Sequence, residues 1–518
     1  MTENRRIFWN IIATYGRSLY SLMLGLFCGR WTLMALGSVD YGLYGLVGGL
    51  TVFIAFFNNV LAGANARFYA FSIGKAAVAK NKSDALEECR HWFNTAFSVH
   101  TVVPFILIVI GYPVGVYAIK KFLVIPPERI NACIWVFRYV CLSCFVGMVN
   151  VPFTAMYRAK QYIAELTIYS FVTATLNVIV LYYMVTHPSI WYVKYAAWTC
   201  LLSIMPQILI CIRACCIFQE CKIILSYMWE KRRLKRIASF SFWQMLGTFC
   251  GLLRNQGMSI VINKFFGASM NAAQAIGNTV QGHCNTLAGA MQTAFVPVIT
   301  QACGAGNYKK MNEFVIRVCK FNVLLSAIFM VPLALELPEV MRLWLKNPPD
   351  YAVGLCYCAM AHHLVQTCTV GHMVAVNASG KIATYQVILS AISIITVPLS
   401  IGVGIMYGNV YAVMGVVVIM EVANSIGRVL FARNISGTSV RIWIIHVLLP
   451  LSISLLVCTL IGSISVMMLP RSFFRVCITT VTCEIVFLPL VWFVLLSTSE
   501  RNFIIEKTIS RLKFLKRK

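Results

Sequence analysis

Long apolar segments, separated by short polar or basic ones, run the whole length of the chain. A helix needs about 20 mostly apolar residues to cross a bilayer, and backbone polar groups in lipid must be satisfied within the helix itself. The pattern therefore predicts an all-α polytopic membrane protein with about fourteen transmembrane helices. The predicted spans are residues 11–37, 41–68, 92–117, 130–156, 162–185, 195–217, 237–263, 268–300, 314–337, 353–378, 382–407, 411–432, 442–469 and 473–497.

Two arginines interrupt the first predicted span. Arg17 and Arg30 are separated by 13 positions, which is about 20 Å along a helix, so they cannot both lie at the same interface. A guanidinium near the bilayer centre costs at least about 2.5 kcal/mol and usually faces a water-filled cavity or a binding site. We expect Arg17 to reach the headgroups with its long side chain. Arg30 is the residue expected to lie at depth.

The distribution of basic residues predicts the topology of the chain. The formal net charge is +27, yet the basic residues fall mainly in alternate loops between spans, which is the positive-inside pattern of membrane proteins. Arg5, Arg6 and the basic tail after Arg511 lie on the same side as the most basic loops. Both termini are therefore predicted in the cytoplasm, and the charge does not indicate binding to nucleic acid.

The two halves of the chain resemble each other. The first predicted span reads LMLGLFCGR and the seventh MLGTFCGLLR, while LAGANARF in the second span matches LAGAMQTAF in the eighth. These matches indicate two parallel repeats of six spans. The predicted domains are an N-terminal lobe (1–217), a cytoplasmic basic linker (218–236), a C-terminal lobe (237–433) and two further spans with a basic tail (434–518).

Carboxamides recur at helical spacing in the eighth predicted span. Asn271, Gln274, Asn278, Gln281 and Asn285 follow one another at intervals of three or four residues, which places them on one stripe of the helix. Such a stripe faces either a neighbouring helix, through interhelical hydrogen bonds, or a water-filled cavity. We favour cavity lining. Because carboxamides both donate and accept hydrogen bonds, they would suit a hydroxyl-rich ligand.

Two further arginines are candidates for substrate binding. Arg254 lies deep in the seventh predicted span, at nearly the repeat position of Arg30. Two guanidiniums at one depth would form a cationic centre suited to phosphate, whose oxygens match their forked donors. Arg67 follows a long uncharged run, and reaching the headgroups or lining a cavity are equally open for it.

Glu421 is the candidate for ion coupling. It lies near the middle of the twelfth predicted span, seven positions before Arg428. It is either a structural partner of that arginine or a cation or proton site that couples transport to a H⁺ or Na⁺ gradient. No nucleotide-binding loop, metal-ligand cluster or nucleophile with a base stands out. The sequence therefore predicts neither an enzyme nor a bound cofactor.

The segment RWTLMALGSVDYGLYGL, the parallel repeats and the two additional C-terminal spans resemble the polysaccharide flippases of the multidrug/oligosaccharidyl-lipid/polysaccharide (MOP) superfamily, of the O-antigen and capsule repeat-unit type. The resemblance covers essentially the whole chain. It implies that an undecaprenyl-diphosphate-linked oligosaccharide crosses the inner (cytoplasmic) membrane by alternating access between two lobes. It also implies that Arg30, Arg67 and Arg254 hold the diphosphate or acidic sugars, and that glycan-polymerisation machinery is a partner.

Other functions stay open at this point. A cation-coupled exporter of the multidrug and toxin extrusion (MATE) family shares the paired lobes, although twelve spans are usual there. A lipid II flippase is close in topology. A membrane glycosyl transferase or polymerase would need a larger outer loop with catalytic carboxylates.

Overall fold

The computed structural model describes residues 52–78, 82–123, 125–187, 192–345, 349–498 and 500–502, and before them residues 9, 10, 12–17, 20, 21, 24, 28, 31, 32, 36, 43, 44 and 47. Within this part of the chain the regular secondary structure is helical, with no strand. Nine of the described helices are long and apolar enough to cross a membrane. The all-α polytopic fold is thus confirmed, while the count of fourteen spans stays a prediction. Arg30 lies outside the described residues.

The helices follow the predicted spans closely. They are α1 (Val52–Val78), α2 (Lys82–Tyr117), α3 (Ile130–Ala159), α4 (Ile163–Thr186), α5 (Tyr192–Ile217), α6 (Lys231–Gly304), α7 (Tyr308–Leu335), α8 (Leu337–Leu345), α9 (Ala352–Thr367), α10 (Val370–Ser379), α11 (Ala383–Tyr407), α12 (Val410–Ser436), α13 (Val440–Met468) and α14 (Phe473–Leu495). Both α13 and α14 contain a π-helical turn.

One glycine divides the longest helix, α6. Gly267 has φ +86° and ψ 177°, a conformation that is open essentially to glycine alone because it lacks a Cβ atom. The break lies between the seventh and eighth predicted spans. It separates a first arm, which carries Arg254, from a second arm, which carries the carboxamides.

The chain forms two compact units. Unit 1 comprises Met1–Leu246, Thr293–Met311 and Asn377–Ala383, and unit 2 comprises Gly247–Gln292, Asn312–Val376 and Thr384–Lys518. The lobe boundaries derived from the sequence stay a prediction.

In unit 1, residues after α5 are bound to α2. The Asn94 side chain donates to the Lys222 carbonyl and accepts from the Ile224 amide, at 3.0 and 2.7 Å. Thr95 and Ser98 donate to the next backbone carbonyls along the same segment. The first part of the predicted linker is therefore an ordered strap, and its basic part, from Lys231, forms the start of α6.

In unit 2, the last two helices pack on α7. Buried residues of α7, α13 and α14 form one apolar core, which includes Val323, Cys458 and Phe487. A buried ion pair adds to it, since Arg475 donates to Glu336 at 2.8 Å. Unit 2 thus includes the two spans that lie outside the sequence repeat.

Candidate functional site

One face of α12 is polar and buried. Glu421, Asn424, Ser425 and Arg428 all lie in the interior of unit 2, because residues three, four and seven positions apart share a helix face. This face packs against α9, with Leu355, Val413 and Val417 in the apolar core beside it. The charged groups of α12 therefore meet the neighbouring helices instead of lipid.

Glu421 lies at the centre of this cluster. Its Oε1 atom is 2.9 Å from Arg428 Nη1 on the same helix. Its Oε2 atom is 3.5 Å from Arg254 Nη1, on the first arm of α6, and 3.4 Å from His362 Nε2, on α9. Only 2% of the Glu421 side chain is exposed. Three helices thus bring two guanidiniums and one imidazole to a single buried carboxylate.

His362 links the cluster to the carboxamide stripe. Gln281 Nε2 lies 2.9 Å from His362 Nδ1. The amide nitrogen donates this bond and Nδ1 accepts it, while the other ring nitrogen, Nε2, faces Glu421. His362 therefore lies between the carboxamide stripe and the carboxylate, with one ring nitrogen toward each.

Arg428 is also held by a threonine hydroxyl, through the same nitrogen that faces Glu421. Its Nη1 atom donates to Thr369 Oγ1 at 3.2 Å, and Thr369 in turn donates to Ser425 at 3.1 Å. One carboxylate faces two guanidiniums, so these three groups hold one more cation than anion. Buried charges are costly unless they are paired, so this cluster favours an anion.

The carboxamides do not share one environment. Gln274 is buried, and its Oε1 atom has no hydrogen-bond partner among the described residues. Asn278 and Asn285 are exposed, and Gln281 is half-buried. The side chain of Asn271 lies outside the described part of the structure.

The carboxamides differ in environment because of the way the second arm of α6 is rotated about its axis. Gly277, Val280 and Cys284 are buried, and Gly277 packs against α9 near Leu355 and Ala359. The carboxamides lie along the edge of this buried face instead of at its centre. The stripe therefore combines interhelical contact with exposed amides.

Arg67 binds the end of a helix. Its Nε atom donates to the carbonyls of Asn377 and Ala378, at 2.9 and 3.3 Å, and both belong to the last turn of α10. The guanidinium also lies over the rings of Phe68 and Phe240. Carbonyls at a helix C-terminus have no partner within the helix and attract cations. Arg67 supplies that cation.

Unit 1 contains a cavity of about 620 Å³ with several polar lining residues. Arg17 and Arg158 line it, and both side chains are exposed. The other lining residues are predominantly hydroxyl-bearing, amide or aliphatic: Thr14, Thr154, Ile163, Leu166, Thr167, Tyr169, Ser170, Thr173, Ala174, Asn177, Thr199, Leu202, Ser203, Pro206, Gln207, Ile210 and Thr293. The described residues that line it include no Asp or Glu. Its fixed charge is therefore positive.

The hydroxyls of this cavity are mainly available as acceptors. Thr167, Ser170 and Thr173 each donate their proton to the carbonyl four positions earlier in α4, which leaves oxygen lone pairs for a ligand. The cavity thus combines guanidinium donors with hydroxyl acceptors.

Sequence reasoning missed most of this cavity. It expected Arg17 only at the headgroups, and it did not single out Arg158 as a site residue. The available signal was the spacing of Thr167, Ser170, Thr173 and Asn177 along the fifth predicted span, three, three and four positions apart. This is the same kind of pattern as the carboxamide stripe, made less conspicuous by smaller side chains.

No protein-family model and no curated protein sequence matches the chain. Solved structures do. A MATE transporter variant matches with a TM-score of 0.68 at 15% identity, over 85% of this chain and 97% of that one. A MOP superfamily transporter from Pyrococcus furiosus, described as having a binding pocket of reverse polarity that suggests a different function, matches with a TM-score of 0.66 at 14% identity, over 85% and 97%. A variant of a Vibrio cholerae MATE transporter matches with a TM-score of 0.63 at 14% identity, over the same shares.

Similarity at this level of identity establishes the fold alone. These neighbours are transporters, and each match covers nearly all of the neighbour's chain. The chain has the multi-pass membrane fold of the MATE transporters of the MOP superfamily.

Proposed function

We propose that this protein is a transporter that moves an undecaprenyl-diphosphate-linked oligosaccharide across the cytoplasmic membrane by alternating access. The observation that carries the proposal is the chemistry of the unit 1 cavity, in which Arg17 and Arg158 lie with a series of hydroxyls. The fold supports transport without chemical conversion of the substrate.

The cavity is complementary to a phosphorylated glycan. Guanidinium groups donate paired hydrogen bonds to phosphate oxygens. The acceptor oxygens of Thr167, Ser170 and Thr173 match sugar hydroxyls, which donate. One molecule that carries both groups therefore satisfies both parts of the cavity.

The alternative is a cation-coupled multidrug exporter of the MATE type. The solved neighbours favour it directly, since several are MATE transporters, and Glu421 is a candidate coupling residue. A cationic drug would, however, meet only positive charge in the unit 1 cavity. Electrostatics therefore favours the anionic substrate.

Proteoliposomes with a fluorescent undecaprenyl-diphosphate oligosaccharide test the proposal. Each charge-assisted hydrogen bond contributes about 1.5–3 kcal/mol, so the loss of one arginine lowers affinity by about ten-fold to a hundred-fold. We expect Arg17→Gln and Arg158→Gln to reduce translocation at subsaturating substrate by at least about ten-fold. Lys at either position should retain part of the activity, since it keeps the charge without the fork.

Arg441→Gln is the matched control, because Arg441 is exposed at the start of α13 and does not line the cavity. Movement of lipid II, assayed in the same vesicles, distinguishes a lipid II flippase from an oligosaccharide flippase, because the two substrates differ in their sugars. Gradient-driven efflux of ethidium with no glycolipid movement would establish the multidrug alternative instead.

A further inference from the structure

A second cavity of unit 1, of about 750 Å³, lies beside the first turns of α4. Three aromatic rings, an amide and an ion pair line it: Trp9, Tyr162, Tyr169, Gln161, Glu165 and Arg213. We call it the interfacial cavity, because the adjoining turn carries Arg158 and Lys160 and is predicted to face the cytoplasm. Trp and Tyr side chains favour this boundary between membrane and water. Of these six residues, Tyr169 alone also lines the cavity that contains Arg17, so the two cavities have largely different walls.

The ion pair of this cavity has unused donors. Arg213 Nε, near the end of α5, donates to Glu165 Oε1, in the first turn of α4, at 2.5 Å. The Nη1 and Nη2 atoms of Arg213 make no hydrogen bond within the described residues, and 54% of the side chain is exposed. An exposed pair of this kind contributes little to stability. It does present a positive and a negative group side by side to a ligand.

Gln161 adds an acceptor without a partner. The residue is only 8% exposed, and its Oε1 atom has no hydrogen-bond partner among the described residues. A buried acceptor left unsatisfied is costly, and a ligand that donates a hydrogen bond removes that cost. The backbone of Gln161 has φ +63°, a left-handed conformation that glycine adopts with less strain. A turn that served the fold alone would favour glycine here.

A buried asparagine holds this wall of the cavity in place. Asn10 Nδ2 donates to the Gln161 carbonyl, and Asn10 Oδ1 accepts from the Ala164 amide, both at 3.1 Å. Asn10 itself is 2% exposed. The backbone on both sides of Tyr162 is thus fixed from one side chain, so the wall is formed before any ligand binds.

These groups are complementary to a primary ammonium joined to a phosphodiester. An ammonium donates three hydrogen bonds, which suits Glu165 and the free oxygen of Gln161, and it is attracted to the faces of aromatic rings. A phosphodiester accepts from the unused nitrogens of Arg213. Beside them Ile168 is 62% exposed, as expected of a side chain that contacts acyl chains. A molecule with all three parts is an amine-bearing phospholipid.

We propose that the interfacial cavity binds the headgroup of a phospholipid of the phosphatidylethanolamine type, with its ammonium on Glu165 and Gln161 and its phosphate on Arg213. The site goes beyond the proposed function, because this lipid is bound and not transported. An anionic lipid such as phosphatidylglycerol would reach Arg213 as well, but it would bring no ammonium to Gln161 and would meet the carboxylate of Glu165. The site therefore discriminates between the two lipids.

Native mass spectrometry of the purified, delipidated full-length protein tests the proposal, with phosphatidylethanolamine and phosphatidylglycerol of identical acyl chains. We expect the first phosphatidylethanolamine to bind at least about ten-fold more tightly than phosphatidylglycerol. Glu165→Gln should weaken phosphatidylethanolamine binding by about ten-fold and abolish the preference, whereas Arg213→Gln should weaken binding of both lipids. Glu88→Gln is the matched control, because Glu88 forms an ion pair with Lys75 at 3.1 Å and does not line the cavity.

Gln161→Gly separates lost binding from lost folding. It removes the amide and relaxes the left-handed backbone, so phosphatidylethanolamine affinity should fall while the melting temperature is kept or raised. Phosphatidylcholine, whose quaternary ammonium donates no hydrogen bond, should bind more weakly than phosphatidylethanolamine.

Two results would overturn the proposal. Equal binding of all three lipids, unchanged in Glu165→Gln and Gln161→Gly, would show non-specific lipid contact only. Equally tight binding of glycerophosphoethanolamine, the same headgroup without acyl chains, would assign the cavity to a soluble ligand. Neither result bears on the proposed function, which the translocation assay of the Arg17 and Arg158 variants decides.

Discussion

At the scale of single residues, Arg67 shows how a half-buried charge can serve structure. Its guanidinium binds the last carbonyls of α10, and the chain turns directly beneath it at Gly380, which has φ +76°. A Cβ atom at position 380 would collide with Arg67 Nη2. The glycine is therefore required twice, for its backbone conformation and for the space that it leaves to Arg67.

We expect Gly380→Ala to lower the free energy of unfolding more than Gly408→Ala does. Gly408 also has positive φ, at +58°, but a Cβ there would meet nothing within 4 Å. Both changes introduce a left-handed alanine, at a cost of about 1–2 kcal/mol. Only Gly380→Ala also displaces Arg67, at about 1.5–3 kcal/mol for a charged hydrogen bond. Denaturant titration in mixed micelles measures the free energy of unfolding of both variants.

In an Arg67→Met background the difference between the two alanine variants should vanish. If it persists there, the extra cost at position 380 comes from the backbone and not from Arg67.

At the scale of elements, α1 and the end of α6 cross at a pair of glycines. A Cβ on Gly74 would collide with the backbone of Gln301, and one on Gly304 with the backbone of Phe71. The pairing is reciprocal, since each glycine meets the residue three positions before the other. Gly74 lies in the segment SIGKAAVAKNK and Gly304 in ACGAGNYKK, which follow the matched LAGANARF and LAGAMQTAF segments of the two repeats.

We expect Gly74→Ala and Gly304→Ala each to lower thermal stability, because overpacking against backbone costs about 1–3 kcal/mol. Gly63→Ala and Gly289→Ala, on the same two helices, should raise it slightly, since a Cβ there meets nothing within 4 Å and alanine favours helix by up to about 1 kcal/mol. Melting of the detergent-solubilised variants gives the comparison. Equal shifts in melting temperature for all four variants would show that Gly74 and Gly304 are not tightly packed where the helices cross.

At the scale of the whole molecule, the loop charges predict an even number of spans with both ends in the cytoplasm. Reporter fusions after Arg236 and Lys518 should be active as cytoplasmic fusions, and a fusion after Ile125, between α2 and α3, as an extracytoplasmic one. An extracytoplasmic C-terminus would leave an odd number of spans and contradict the fourteen predicted from the sequence.

The sequence by itself determined the fold class and the positions of the helices. Hydropathy is a local property, because each segment must satisfy its backbone and match the bilayer within its own length. The break at Gly267 was likewise bracketed by local signals, the end of one apolar run and the start of the next.

Only the tertiary structure decided which polar groups meet. Glu421 was placed at membrane depth by its sequence, yet its contacts with Arg254 and His362 depend on how α6, α9 and α12 are rotated about their axes. A rotation of one residue, 100°, would turn any of these groups away. The unit 1 cavity and the role of Arg67 at the end of α10 depend in the same way on packing between residues far apart in the chain, which no local pattern specifies.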